Sequence, residues 1–511
     1  MDIEGIGKKP GLLTAIGIGV GCMIGSGWLF AAYLAAQYVG PASYLSWFVG
    51  AGLALILALL LAEIASMFKQ KALFSRLLTI SHDNPDFGFV VAISSWLGMV
   101  LVIPSEAAAT MQYLSTAIPK LTPYFMDGQQ HTFLGSLFIV FLIVIYTIIN
   151  YWGIKSLAKA SNIMAIIKIV VPILTAVILM VTSFNGSNFI SQGFAPQGYG
   201  KVFSAVVVCG IFYAFFGFSM VALYSTELEK PKKNIPRALV LSVLVCLLIY
   251  LLLQTAFIAA LPTSMVAKGW TTIDFTSPFA QLLLLFNLNI LILWSFVLYF
   301  DAAVSPSGTG ILYMGSSSRT LTGMAGDNQL PKFFDRVHPV YNLSRRSLLF
   351  TASMCCIVVL FFKNWQEIMI IVSVFQLISC VAIPVSFTKL RTSKPEIERK
   401  YRVKLGLTLS YFIYMVVSYL MTQATIMALF LSLILHLAFF FFYSMTTYNN
   451  NLVKVGRAYL SSWSIFSYMV VSLVFGSVNK LGLITQGINP WLFIIAFSLN
   501  YWLLLKQKNH S

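Results

Sequence analysis

Apolar runs of about 20 residues, each long enough to cross ~30 Å of hydrocarbon as a helix, recur along the whole chain. Fourteen spans are predicted, near 12–39, 44–67, 88–113, 133–154, 161–183, 203–227, 238–261, 287–316, 347–362, 366–388, 407–422, 426–445, 458–477 and 490–505. The polar stretches between them are too short to form a soluble domain. The pattern predicts an all-α polytopic membrane protein. The most charged connection, "KLRTSKPEIERKYRVK" (389–404), separates ten spans from four. A transporter core in residues 1–390 is therefore expected, followed by four accessory C-terminal helices in 391–511.

Composition agrees: 59% of the 511 residues are hydrophobic and only 10% charged, too little charge to cover a soluble protein. The net charge of +17 raises the question of a nucleic-acid partner, and its distribution answers it. Of the 33 Lys and Arg, 27 fall on one side of the predicted spans, including Lys8, Lys69, Lys155, Arg237, Arg345 and seven between Lys389 and Lys404. Five fall on the other side, at Lys120, Lys201, Lys268, Lys363 and Lys480, and Lys168 lies inside a span. That bias orients the chain with both termini in the cytoplasm of an inner, plasma-type membrane. The charge serves orientation in a lipid bilayer, and no nucleic-acid partner is expected. The six cysteines (22, 209, 246, 355, 356 and 380) lie in apolar spans without disulfide or metal spacing. No metal or cofactor is expected.

Two spans contain helix-weakening sequence at matching depth: "IGSGW" (24–28) in span 1 and "FFGFS" (215–219) in span 6. Five spans separate their starts, and an odd number inverts the second half. Inverted repeats are thus expected over roughly 12–184 and 203–389. Paired interrupted helices of opposite direction point to a transporter's binding site near the bilayer midplane. An unwound segment survives in hydrocarbon only where it lines a cavity, because each unpartnered backbone group there costs several kcal/mol. If the chain unwinds at Ile24, Gly25, Ser26 and Gly27, free amides from Trp28 onward open the next half-helix, a place suited to a carboxylate. A break in span 6 frees carbonyls between Ala214 and Gly217, suited to an ammonium. Phe212, Phe215 and Phe218 would supply apolar walls and Ser219 a hydroxyl. Side by side the two sites suit a zwitterion. Tight packing through small residues is the other reading of these glycines.

With these residues in view, the chain resembles the amino acid–polyamine–organocation transporters, which share the LeuT-like fold. The resemblance rests on "GCMIGSGWLF", "NYWGIKSLAKASNIMAIIK", "FYAFFGF", "ELEKPKKNIPRA", "SPSGTG" and "KPEIERKYRV", in that order over roughly 8–405. The combination of "SGWLF", "SPFAQL" and "SPSGTG" looks most like the bacterial acidic-amino-acid/proton symporters. Two departures stand out. The loop after span 2 reads "FKQKALFSRLL" (68–78) where the family usually has Pro-Gly-Gly. Ser219 stands where many members carry Asp or Glu, which argues against a cationic substrate.

Lys168 sits in the middle of span 5, where a charge costs on the order of 2.5–3.5 kcal/mol and is a functional hypothesis by default. Burial disfavours its charged form, so proton exchange is the functional reading; a permanently paired structural lysine is the alternative. The resemblance implies that Lys168 replaces sodium at the family's second sodium site, touching the span 1 break and a span 8 hydroxyl. The candidates for that hydroxyl are Ser305, Ser307 and Thr309, with Asp301 one turn before Ser305 as a counter-ion. Glu106, in span 3 after Pro104, either carries protons or hydrogen-bonds a neighbouring helix. Glu63 and Glu227 are expected to pair with Lys or Arg at an inner gate.

The function these features imply is secondary active transport of an amino acid by alternating access, with protons as the coupling ion. Amino-acid exchange and a non-transporting amino-acid sensor are the alternatives. No GxxxxGK[ST] loop or convergent acid–base cluster suggests ATP drive or an enzyme.

Overall fold

The computed structural model describes residues 11–68, 73–152, 157–223, 228–341, 343–480 and 490–508. The described part of each predicted span is mainly helical. We number the helices by span: 1a (Leu12–Met23) and 1b (Gly27–Val39), 2 (Ser43–Met67), 3 (Pro85–Ala117), 4 (Phe133–Tyr151) and 5 (Leu157–Thr182). Helix 6 comprises Gly200–Val208, Ile211–Phe215 and Phe218–Leu223, followed by helices 7 (Pro231–Ala260), 8 (Asn289–Gly326), 9 (Arg345–Phe361) and 10 (Trp365–Ser393). Helices 11 (Gly406–Gln423), 12 (Ile426–Thr447), 13 (Trp463–Lys480) and 14 (Pro490–Lys506) complete the set. Among the described residues, eight continuous helices are long and apolar enough to cross a membrane, or up to ten if each bent pair is one span. One of these, Gly27–Met67, carries both 1b and helix 2. Outward-facing Leu, Ile and Phe side chains, such as Phe141, Leu248 and Phe296, cover the lipid-facing perimeter.

Boundaries differ from those the hydropathy pattern predicts at several helices; helix 7, for one, begins at Pro231 rather than near 238. Helix 8 runs on to Gly326, ten residues past the predicted end of its span, and the polar "SSSRTLTGMAG" turns hydroxyls back onto the helix's own carbonyls there, as in Thr320 to Ser316. Helix 13 starts at Trp463, after a separate helix, Leu452–Leu460, that meets it at 61°. That short helix puts its charges on one face and buries Val455 and Ala458 on the other. Helix 6 is interrupted twice: it bends by 60° at Cys209–Gly210, a point not singled out in the sequence, and breaks again at Phe216–Gly217, within the predicted "FFGFS". Gly210 sits at φ +77°, a conformation open to glycine at little steric cost. Gly217, at the second interruption, also makes room for a neighbour. A Cβ there would lie 2.5 Å from the Cys22 carbonyl carbon and the Met23 amide, so its absence lets helix 1a cross.

At the end that gathers most Lys and Arg, polar side chains lash the helices together. Glu63, closing helix 2, receives a bidentate pair from Arg391 at 2.8 and 2.6 Å, the Val403 amide at 2.7 Å and the Arg399 guanidinium at 3.5 Å. This is the gate-side pairing predicted for Glu63; Glu227 lies outside the described residues. Of the loop that lacks Pro-Gly-Gly, residues 69–72 also lie outside them. Its remainder forms short helices from which Arg76 grips Asp327, just past helix 8, at 2.7 Å. Asp86, fully buried in the first turn of helix 3, accepts hydrogen bonds from the Tyr443, Tyr448 and Ser461 hydroxyls. His82 reaches the Leu504 carbonyl, Lys389 reaches Leu505, and Asn84 reaches Ser461. Helices 12 to 14 are thereby tied to the basic ends of helices 3 and 10.

At the opposite end, a small hairpin (Met126–Asp127 with Gln130–His131) docks through the His131 amide on the Lys363 carbonyl at 2.7 Å. Burial, and then the nearby Lys363 charge, hold the His131 imidazole below its ordinary pKa. A depressed base contributes stability above its unfolded pKa of about 6.5 and loses it as pH falls through the folded value. The melting temperature of the purified protein is expected to drop between pH 7 and 5, and His131→Gln to reduce that drop by about 1–2 °C. Identical pH curves would remove His131 as a cause.

Candidate functional site

The helix ends at Met23 and resumes at Gly27. Ile24 is extended (φ −85°, ψ 90°), and Ser26 forms the cap of helix 1b. Small residues allow this interruption because Glu106 fills the space beside it. A Cβ on Gly25 would lie 2.5 Å from Glu106 Oε1 and 2.9 Å from Thr309 Oγ1. Gly27 faces Ala214 of helix 6, and its Cβ would sit 3.2 Å from the alanine methyl.

Glu106 holds the centre. Its Oε2 accepts the Ser26 amide at 2.7 Å and its Oε1 accepts the Tyr213 hydroxyl at 2.5 Å. Tyr213 also lies 3.1 Å from Ser105 Oγ and 3.3 Å from Ser26 Oγ. From helix 10, the Trp365 indole donates to Ser26 Oγ at 2.9 Å while its ring stacks on Phe30, centroids 4.7 Å apart. The Tyr250 hydroxyl of helix 7 stands between the carbonyls of Met23 and Ala214, 2.9 and 3.0 Å away, one on each broken helix. Tyr113 donates to the Leu29 carbonyl at 3.1 Å.

Lys168 is 2% exposed and reaches both partners the resemblance implied. Its ammonium donates to the Gly21 carbonyl of helix 1a at 2.7 Å and to a helix 8 hydroxyl at 2.5 Å. That hydroxyl is Thr309. Ser305, singled out as a coupling residue in the sequence, instead donates to Asp301 Oδ1 at 2.5 Å. Pro172 removes the helical amide below the Lys168 carbonyl, easing the helix where the lysine must lean inward.

Several predicted residues do other work. Phe215 packs edge-on against Trp47 and Tyr250, away from the break. Phe212 and Phe218 both pack against Phe216. Ser219 donates back to the Phe216 carbonyl at 3.0 Å. The freed carbonyl of Ala214 already receives Tyr250, so the surroundings of helix 6 are less open than its sequence suggests. Tyr250, Trp365 and Tyr113 carry no signal in the sequence because each acts from a distant helix. Among the described residues no group of three or more His, Cys, Asp or Glu could hold a metal ion.

The arrangement amounts to a half-helix N-terminus, an amide-bound carboxylate, a buried lysine on the reverse side of the break, and an aromatic cover. The sequence pattern of the amino acid permease family matches residues 11–497. The chain belongs to the amino acid permease family. The permease is 37% identical over 401 residues to the glutamate/serine transporter AimA of Bacillus subtilis, covering 78% of this chain and 74% of that one. It is 28% identical over 506 residues to the aspartate-proton symporter of the same organism, covering 97% and 96%. The branched-chain amino acid permease BcaP, also of Bacillus subtilis, is 24% identical over 446 residues, covering 84% and 91%. The permease is a multi-pass membrane protein whose named relatives are transporters.

Proposed function

We propose that the permease is a proton-coupled amino acid symporter working by alternating access, with the basic face and both termini in the cytoplasm of the plasma membrane. One observation carries the reading: the carboxylate of Glu106 caps the Ser26 amide at the start of helix 1b. The next amides, Gly27 and Trp28, are the orphan donors of that helix start, where a ligand carboxylate is best held. A substrate carboxylate at those amides comes up against Glu106. Two carboxylates in one dry site are not both ionised without a large penalty, so substrate and proton favour each other's binding. Lys168 supports the same cycle from behind, tying helix 1a to helix 8 as long as its bonds to Gly21 and Thr309 persist.

The first ten helices carry the cycle in this reading, and the closed cover of Trp365 over Ser26 is the gate on the external side. The named activities of the relatives point to an acidic or small polar amino acid, and Ser219 leaves helix 6 without a carboxylate for a cationic side chain.

Uptake of labelled L-glutamate, L-aspartate, L-serine and L-leucine into proteoliposomes tests this. An inward pH gradient alone is expected to drive accumulation of at least one of the first three, abolished by a protonophore. Uptake that requires internal amino acid and ignores the gradient would make the permease an exchanger and end the symport reading.

A further inference from the structure

Asp301, Ser305 and Thr309 lie at four-residue spacing on one face of helix 8, so their side chains stack as a ladder. Thr309 touches Lys168 at 2.5 Å and donates to the Ser305 carbonyl at 3.3 Å; Ser305 donates to Asp301 at 2.5 Å. Asp301 is therefore two turns, about 12 Å along the axis, from the lysine contact. It lies toward the start of helix 8, the end remote from the Lys- and Arg-rich face. Asp301 is fully buried, yet its Oδ2 has no hydrogen-bond partner among the described residues. Against it lies the indole of Trp28, whose equally buried Nε1 is the donor at hand for the carboxylate but stops short of a fully formed hydrogen bond. A buried acceptor and donor that approach without completing their bond are uncommon in a protein interior, where such groups are costly to leave unmet. The groups that titrate or carry charge around the ladder are Lys168 from helix 5, Glu106 from helix 3 and Cys22 from helix 1a, with Tyr146 of helix 4 on Ser307 at 2.9 Å.

We propose that Asp301 is the proton-loading group on the external side of Lys168, and that Trp28 takes over its free oxygen once the proton has passed on. The inference rests on the symport reading above and adds a route to it. A proton from external water binds the Asp301 carboxylate. It then passes by way of the Ser305 hydroxyl, water and the Thr309 hydroxyl to the neutral amine of Lys168, giving a carboxylate and an ammonium; water has to carry the step between the two hydroxyls, because that of Thr309 is turned to the Ser305 carbonyl. The bared carboxylate accepts the Trp28 N–H. Because Trp28 lies in the first turn of helix 1b, this contact moves the amides that hold the substrate, so proton position and substrate grip change together.

The test compares pH-gradient-driven uptake with substrate exchange at equal pH in proteoliposomes, using L-glutamate and L-serine as probes. Asp301→Asn is expected to lower the ratio of driven uptake to exchange by roughly tenfold or more, the equivalent of one pKa unit or more of lost coupling. Trp28→Phe removes a donor to the ionised carboxylate, so the external pH of half-maximal uptake is expected to rise. Ser305→Ala removes the other donor and the first hydroxyl of the path, so it is expected to shift that midpoint in the same direction and also to lower gradient-driven uptake, a readout independent of how well Asp301→Asn folds. Wild-type ratios in Asp301→Asn, or unmoved midpoints in both Trp28→Phe and Ser305→Ala, would overturn the assignment. If the wild-type protein itself ignores the gradient, the symport reading falls and this proposal with it; a gradient-driven wild type with an indifferent Asp301→Asn overturns the route alone.

Discussion

Replacing Glu106 with glutamine is expected to uncouple the permease while keeping its shape. Glutamine still offers an oxygen to the Ser26 amide and a partner to the Tyr213 hydroxyl, so the break in helix 1 keeps its cap. It no longer competes as an anion for the substrate's amides, and it takes up no proton. Accumulation against a gradient should fall roughly 10- to 100-fold, the equivalent of a lost charge-assisted hydrogen bond. Affinity measured by ligand-induced thermal shift should become nearly independent of pH. A glutamine variant that still concentrates amino acid with the wild-type pH profile would remove Glu106 from the coupling.

Lys168→Met is expected to have an effect of similar size for a different reason. Methionine fills the same volume, but the Gly21 carbonyl and the Thr309 hydroxyl lose their donor in a dry interior. An unmet buried acceptor costs about 1–3 kcal/mol, which should lower the melting temperature measurably. More telling is transport: with helix 1a no longer tied to helix 8 by a titratable group, gradient-driven uptake should fall by roughly tenfold or more, while pH changes cease to alter the residual rate. Full coupled transport in this variant would leave Lys168 as a structural brace only.

Much of the architecture is legible in hydropathy because a chain in hydrocarbon has few ways to satisfy its backbone. The unwound stretch of helix 1 shows in "GSG", although small residues also serve helix packing in membranes and it takes the matching break in span 6 to favour unwinding. Helix 6 is harder to read. Gly210, where the 60° bend falls, is a lone glycine of the kind that packs helices everywhere, whereas the more conspicuous Gly217 marks the second interruption and also the crossing point for helix 1a. The partner of Lys168 shows the limit of spacing arguments. Ser305 and Thr309 share a face one turn apart, and a flexible four-carbon side chain can lean to either. Glu106 is visible as an anomalous carboxylate, but its place at the Ser26 amide follows from how helices 1 and 3 pack, 80 residues apart. Tyr250 and Trp365 carry no local mark at all, since an aromatic in a membrane helix looks the same whether it faces lipid or a cavity.

The carboxylate of Asp86 lends the last helices a purpose that hydropathy hides. The hydroxyls that hydrogen-bond it come from residues more than 350 positions later in the chain. A version of the permease shortened after helix 10 would therefore expose a bare anion where the first turn of helix 3 meets the lipid. Such a fragment would be an amputation rather than a minimal transporter. Efforts to trim the molecule for crystallisation or design would do better to rebuild the Tyr443, Tyr448 and Ser461 contacts than to delete the helices that bear them.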